Sequence, residues 1–158
     1  MVNGGKTRRI EMRMIKVIVA SVVLLAAILV VYAGDQPEQL PRDGVFIHIS
    51  HGEEDPHRLL MALSMATKMA HDHDVLVYFD IDGIGAVLKD AEDISFEPFL
   101  SSKAALDTLR AKNVILMACP GCLNAAGKSH EDLAEGIQIA DKATFFNFTE
   151  GRILSLDY

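Results

Sequence analysis

Cys119 and Cys122 are the two cysteines of this 158-residue chain, and Pro120 and Gly121 separate them. Two thiols at this spacing can exchange a disulfide, pass on a sulfur atom, or share a metal ion. Five apolar residues, Val114-Ile-Leu-Met-Ala118, run straight into Cys119. Such a run predicts a strand buried on both faces, ending where the first cysteine begins. The small and polar residues that follow predict a helix starting just after Cys119. Free N–H groups and the helix dipole there favour a thiolate, the reactive form of the thiol. Cys119 is thus the expected nucleophile. Cys122, three residues on, is the expected second thiol, attacking a mixed disulfide or persulfide on Cys119. A disulfide across so short a loop removes little chain entropy, which disfavours a purely structural staple. The competing reading is an inert disulfide or a pair of core thiols.

Other residues could carry chemistry. Asp80-Ile81-Asp82-Gly83 follows an apolar strand and looks like the first motif of haloacid-dehalogenase-type phosphatases. Ile84 stands where Thr or Val is usual, and no later acidic pair has the glycine context that holds Mg²⁺. A turn whose aspartates bond their own backbone is the preferred reading. His51 and His57 flank a loop at the sheet edge that also holds the cysteines, so two thiols and two imidazoles could bind Zn²⁺, although without zinc-finger spacing. His48 lies inside a strand, where histidine more often packs than ligates. His71-Asp72-His73-Asp74 reads as a solvated helix end. No metal and no cofactor is therefore expected. A thioredoxin-like fold would need its motif near the start and a proline well downstream. Here 36 residues follow Cys122, and Pro120 is the last proline.

The elements that position the thiols read as alternating strands and helices. Strands are expected at Gly44 to Ser50, Val75 to Phe79, Val114 to Ala118 and Arg152 to Asp157. Asp55-Pro56 reads as an N-cap and first helical residue, with Leu59, Leu60, Leu63, Met65 and Met69 continuing the helix to about Ala70. Asp80 to Gly85 is expected as a turn, and Ala86 to Lys89 as a short helix. Pro98 to Lys112 predicts a second long helix. Ser129-His130-Glu131-Asp132 looks like a capping box opening a helix to Ala140. Lys142 to Thr149 is ambiguous between helix and strand. This alternation predicts an α/β domain with a mostly parallel sheet and helices on both faces. The carboxyl ends of the strands, where the thiols fall, are where ligands gather in such sheets.

The first 33 residues differ from the rest. Lys6, Arg8, Arg9, Arg13 and Lys16 against Glu11 precede an uncharged apolar run from Val17 to Ala33. That order predicts a secretory signal cleaved after Ala33. The alternative is an uncleaved anchor, since the run is at the lower limit for spanning a bilayer. A periplasmic or otherwise exported domain follows from either reading. Residues 34–43, with Pro37 and Pro41, are expected to be a linker, and 44–158 the domain. The leader holds five of 15 Lys and Arg and one of 22 Asp and Glu, so the rest carries 10 against 21, a formal charge of −11. No basic cluster remains to neutralise phosphates, which argues against a nucleic-acid partner. Membrane contact is expected only if the leader stays attached. Two cysteines in an exported chain are normally oxidised as a pair.

From about Gly44 to Tyr158 the chain resembles the DsrE/DsrF-like family, which includes the TusD-type sulfur-relay proteins. Gly52-Glu-Glu-Asp55 before a Met- and Ala-rich helix carries part of the likeness. Val75 to Phe79 with Asp82-Gly83, Glu131 to Gly136 and the last strand add to it. Above all, Cys119 ends a strand with Gly127 eight residues on. The resemblance implies a three-layer α/β/α domain, and it resolves Lys142 to Thr149 as a short helix. It also implies a homo-trimer or hexamer, and a cysteine that accepts persulfide sulfur. The chain departs from the relay members in its export signal and in Cys122. The expected function is an exported sulfur-relay or thiol-redox protein. Cys119 and Cys122 are its site, and sulfur donor and acceptor proteins or small thiols are its partners. The alternative is a non-catalytic exported module for a small ligand or metal, with a passive disulfide.

Overall fold

A computed structural model describes residues 40–158 and, before them, residues 12, 14, 16, 18–22 and 24. The described residues before 40 are helical and belong to a separate unit. The rest of the expected leader, its cleavage point at Ala33 and most of the expected linker lie outside the described residues. Among the described residues no helix is long and apolar enough to cross a membrane.

The unit from Leu40 onward holds a five-stranded sheet, all of its strands parallel. The strands are β1 (Gly44–Ile49), β2 (Asp74–Phe79), β3 (Ile115–Ala118), β4 (Ile137–Ile139) and β5 (Ile153–Asp157), in the spatial order β4-β3-β2-β1-β5. Alternation along β1 and β2 divides the sheet into two faces. Val45, Ile47 and Ile49 with Val75, Val77 and Phe79 lie on one face, packed in the main core with helices α1 (Pro56–Met69) and α2 (Ser102–Ala111). Helix α1 starts because Asp55 accepts the Arg58 N–H at 3.1 Å and Pro56 has no N–H to lose. It buries Leu59, Leu60, Ala62, Leu63 and Ala66, a stripe at helical spacing. Each large side chain buried this way contributes about 1.5–3 kcal/mol.

The opposite face carries Phe46, His48, Leu76, Tyr78 and Met117, and the short helix α4 (Lys142–Asn147) lays Phe145 on it. Helices thus cover both sides, the α/β/α layering expected from the alternation of elements. Helix α3 (Pro120–Ala125) continues directly from β3 at the carboxyl edge of the sheet.

Three expectations are corrected. The capping box at Ser129 and Asp132 forms, but the turn it opens is a 3₁₀ segment of three residues, His130–Asp132. Leu133 is already extended, and Gly136 at φ 79° redirects the chain into strand β4 where helix was expected. The helix expected from Pro98 begins only at Ser102. The Ser102 hydroxyl, buried, accepts the Ile94 N–H at 3.0 Å and donates to Asp93 at 3.3 Å, tying the preceding loop to the helix start. Residues 81–87 form one 3₁₀ segment in place of a turn followed by a helix.

At the start of β1, the Arg42 carbonyl accepts the Thr149 hydroxyl at 2.6 Å, and Asp43 pairs with Arg152. A Cβ on Gly151 would stand 2.2 Å from that Arg42 carbonyl, so the chain closes there only on glycine.

Candidate functional site

Parallel register assembles the site. Tyr78 pairs with Met117, and Cys119 is two residues beyond Met117, on the same face. The Cys119 N–H donates to the Phe79 carbonyl at 2.9 Å, which carries the β2–β3 ladder up to the cysteine itself. Chain direction then changes at Pro120, and Cys119 becomes the N-cap of α3. Its sulfur accepts the Cys122 N–H at 3.3 Å, as a capping oxygen would. Both cysteines are half-buried free thiols. Structure and sequence reading agree on this placement: the two sulfurs meet at the carboxyl end of a central strand, where a helix begins.

The electrostatics of the two thiols differ. Burial pushes Cys119 up, but the Tyr78 hydroxyl, the N–H groups of Cys122 and Gly121 and the Cys122 thiol outweigh it, and Cys119 falls below the ordinary thiol range. Cys122 receives the Ile81 N–H, which favours its anion. The Cys119 sulfur, burial and the Asp80 carboxylate outweigh that single bond and hold Cys122 above the ordinary range. Cys119 is therefore the better thiolate of the pair at neutral pH.

Three groups around the sulfurs escaped the sequence reading. Tyr78 lies on the face that Cys119 continues, and burial first, then the nearness of Cys119, push its own ionisation up. His48, opposite Tyr78 in the register, stacks on its ring at 5.7 Å. Its Nε2 is 2.8 Å from Asp80 Oδ1, and its Nδ1 is 2.9 Å from Asp157 Oδ1. The Asp80 oxygen lies off the ring N–H direction, so that contact is a charge pair rather than a directed hydrogen bond. Ile81 is the third group. It stands at φ 45°, and its N–H favours the anion of Cys122. The loop that carries Asp80 and Ile81 is fastened to the end of β1: the N–H groups of Asp82 and Gly83 both donate to the Ser50 carbonyl. A Cβ on Gly83 would meet the Ile49 carbonyl at 2.4 Å, so glycine is required for this approach. The readable signal for these groups was alternation. His48, Tyr78 and Asp80 are polar or amphipathic positions, two apart within a strand or its extension, in otherwise apolar runs.

The other sequence candidates separate from the thiols. His51 is held by Glu54 at 2.9 Å and Arg58 at 2.8 Å, and His57 stacks on Phe96 at 4.8 Å. The imagined four-ligand zinc set does not assemble. Among the described residues no group of three or more His, Cys, Asp or Glu is arranged to hold a metal ion. Asp80 and Asp82 part as well. Asp80 faces His48, while Asp82 lines a groove of about 540 Å³ with Glu53, Glu54, Asp90, Glu92 and Lys128. The two carboxylates do not form the paired site of a phosphatase.

The model of the DsrE/DsrF-like family matches residues 43–150, more than half of the chain. No curated protein matches it in sequence. Among solved structures, the YchN protein from E. coli superposes with a TM-score of 0.53 at 18% identity, covering 73% of this chain and 99% of its own. MTH1491 from Methanobacterium thermoautotrophicum, described as a protein of unknown function, gives 0.54 at 17% identity with the same coverage. At such identities these two likenesses speak for the fold alone.

Proposed function

Because the chain belongs to the DsrE/DsrF-like family, whose members imply sulfur-relay or related work, we propose that it carries sulfur, or cycles a disulfide, on Cys119 with Cys122 as the second thiol. One observation carries the reading. The Cys119 sulfur caps a helix, accepts the Cys122 N–H and lies beside the Tyr78 hydroxyl, so its anion is favoured against burial. The thiolate attacks the outer sulfur of a donor persulfide. A bond forms from Cys119 to that sulfur, the donor's S–S bond breaks, and the donor leaves as a thiolate. Cys122, as thiolate, then attacks the Cys119 sulfur. The new bond is Cys119–Cys122, and the cargo leaves as hydrosulfide. With a mixed disulfide on Cys119 the same attack expels the partner's thiolate. An external thiol must reduce the internal disulfide before the next cycle. Sulfur donor and acceptor proteins or small thiols are the partners this chemistry needs.

The proposed setting is outside the cytoplasmic membrane, reached through the residue 1–33 segment. Fractionation with N-terminal sequencing tests it, and an intact N-terminus in the cytoplasm would defeat it. A homo-oligomer is the proposed assembly. Phe146 of α4 and Ile153 and Leu154 of β5 are each at least half exposed, an apolar surface along the sheet edge that a second copy would cover. Light scattering that finds a monomer at micromolar concentration rejects it.

Mass spectrometry of the reduced protein after exposure to a persulfide donor tests the central reading. One added sulfur atom on the Cys119 peptide, or the Cys119–Cys122 disulfide and hydrosulfide that its release leaves, is the expected result. A bound ligand or metal with no thiol reactivity points instead to a binding module with a passive disulfide.

A further inference from the structure

We propose that the groove beside α3 docks a basic segment of the protein that gives sulfur to Cys119 or takes it away. The groove holds about 540 Å³, within the range of ligand sites, and its walls are the 3₁₀ segment 81–87, the loop that follows and the end of α3. It begins on the helix that carries the thiols. Ala126 lines it, and the Ala126 N–H donates to the Cys122 carbonyl at 2.9 Å. Ala126 thus stands one turn beyond Cys122 on the same side of the helix, about 5–6 Å away between Cβ atoms. The 3₁₀ segment packs against α3, which makes Ile81 the facing wall. A chain lying in this groove passes within one helical turn of the second thiol.

The lining names the occupant. Ile84, Leu88 and Ile94 give the groove apolar surface, and Ile81 lines it with 62% of its own surface exposed. Five carboxylates, of Glu53, Glu54, Asp82, Asp90 and Glu92, stand there against one cation, Lys128. Lys128 is taken by Asp90 at 3.3 Å, and Glu54 is taken by His51 at 2.9 Å. The carboxylates of Glu53, Asp82 and Glu92 have no cation partner among the described residues. An apolar stretch bearing Lys or Arg complements this set, its cations meeting those carboxylates and an apolar side chain covering Ile81. Cations beside the partner's own sulfur also stabilise the thiolate it leaves as. Other occupants match less well. Among the described residues no three carboxylates are arranged to enclose a metal ion. A second copy of this chain would bring a formal charge of −11 over residues 34–158 to a groove that is already acidic.

The inference rests on reading the two thiols as the reactive site, and its first test involves no thiol chemistry. Two fluorescein-labelled peptides of equal length carry serine in place of the partner's cysteine, flanked by Lys and Leu in one and by Glu and Leu in the other. Anisotropy titration with the full chain at low ionic strength should show the Lys peptide binding about tenfold more tightly than the Glu peptide. Asp82→Asn with Glu92→Gln should weaken the Lys peptide about fivefold. Glu135→Gln with Glu150→Gln removes the same charge from exposed positions outside the groove and should weaken it by no more than about twofold. Equal effects of the two pairs, or equal binding of the two peptides, overturn the proposal, since overall charge would then account for the attraction. Gly85→Lys is the second variant. A Cβ on Gly85 would meet nothing within 4 Å, so the new cation enters the groove without moving its walls. It should weaken the Lys peptide as strongly as the first pair does, and unchanged binding overturns the proposal. Spermidine that displaces the Lys peptide at equal concentration would assign the groove to a small polycation and also overturns it. The same peptides with cysteine restored, offered to the reduced protein as mixed disulfides, separate the two readings. Binding that depends on the groove without exchange at Cys119 removes sulfur carriage alone. Exchange at Cys119 without such binding removes the docking groove alone.

Discussion

His48 Nε2 stands 2.8 Å from Asp80 Oδ1, and neither atom reaches solvent. Removing one partner would strand the other, and the cost of a stranded buried polar group exceeds the worth of the pair itself. The pair lies directly behind Tyr78, so it ties the acidic loop after β2 to the strand that backs the thiol site.

Burial opposes a charge on His48, but Asp80 and Asp157 outweigh it and hold the imidazole above its ordinary value of 6.5. A raised histidine stabilises the fold fully below its unfolded value, and that contribution is lost as pH rises through the folded one. Denaturation midpoints should therefore fall as pH climbs from about 6.5 through the raised value. His48→Gln should lack this fall. The difference between the two proteins isolates His48 from Cys119, whose lowered value adds stability toward higher pH. Parallel pH profiles for wild type and His48→Gln would show that the pair contributes nothing.

Replacing each sulfur by oxygen separates the roles of the thiols. Cys119→Ser should abolish sulfur loading, because an alcohol at this position does not ionise near neutral pH. Cys122→Ser should load and then retain its sulfur or mixed disulfide, because no second thiol is present to displace it. Peptide mass spectrometry after donor exposure and removal reads both. Loading that persists in Cys119→Ser would transfer the acceptor role to Cys122.

Ile81 sits at φ 45° with 62% of its surface exposed. A β-branched residue in the left-handed region carries about 1–2 kcal/mol of backbone strain, and here little packing offsets it. Asparagine tolerates that region, so Ile81→Asn should raise stability by about 1 kcal/mol. It should also leave Cys119 labelling unchanged, since the N–H directed at Cys122 stays where it is. A loss of stability on chemical denaturation would mean that contacts of the Ile81 side chain outweigh its backbone strain.

What could be read ahead of the structure follows from range. Cys119 was legible because everything that places it is local: an apolar run, a proline at the first helical position, a second cysteine one turn on. Strand β4 was not, since Ile137-Gln-Ile139 is three residues long and follows a genuine capping box at Ser129. Local cap chemistry starts a helix there, and only the bonds of β4 to β3 reveal that it stops. The polar shell was hidden for a related reason. His48, Tyr78 and Asp157 lie far apart in sequence and become neighbours through strand register, which one sequence does not state.

The order in which the thiols act has a physical cause beyond the helix dipole. Cys122 receives the Ile81 N–H, but the Cys119 sulfur, burial and Asp80 outweigh it and keep Cys122 protonated. While Cys119 is an anion, it accepts the Cys122 proton as a hydrogen bond and repels a second charge. Once Cys119 is tied up in a neutral mixed disulfide, both of those effects vanish, and the Ile81 N–H remains. Cys122 should then ionise more readily, at the moment its attack is needed. Alkylation of reduced wild type at limiting reagent and near-neutral pH should label Cys119 first. In Cys119→Ser, Cys122 should label about threefold faster than it does in wild type while Cys119 is still free, after allowance for the lower nucleophilicity of a more acidic thiol. A Cys122 rate that is unchanged or slower in Cys119→Ser would mean that burial and Asp80 alone hold it back. Sequential activation would then be lost, and with it the physical basis for Cys122 acting second.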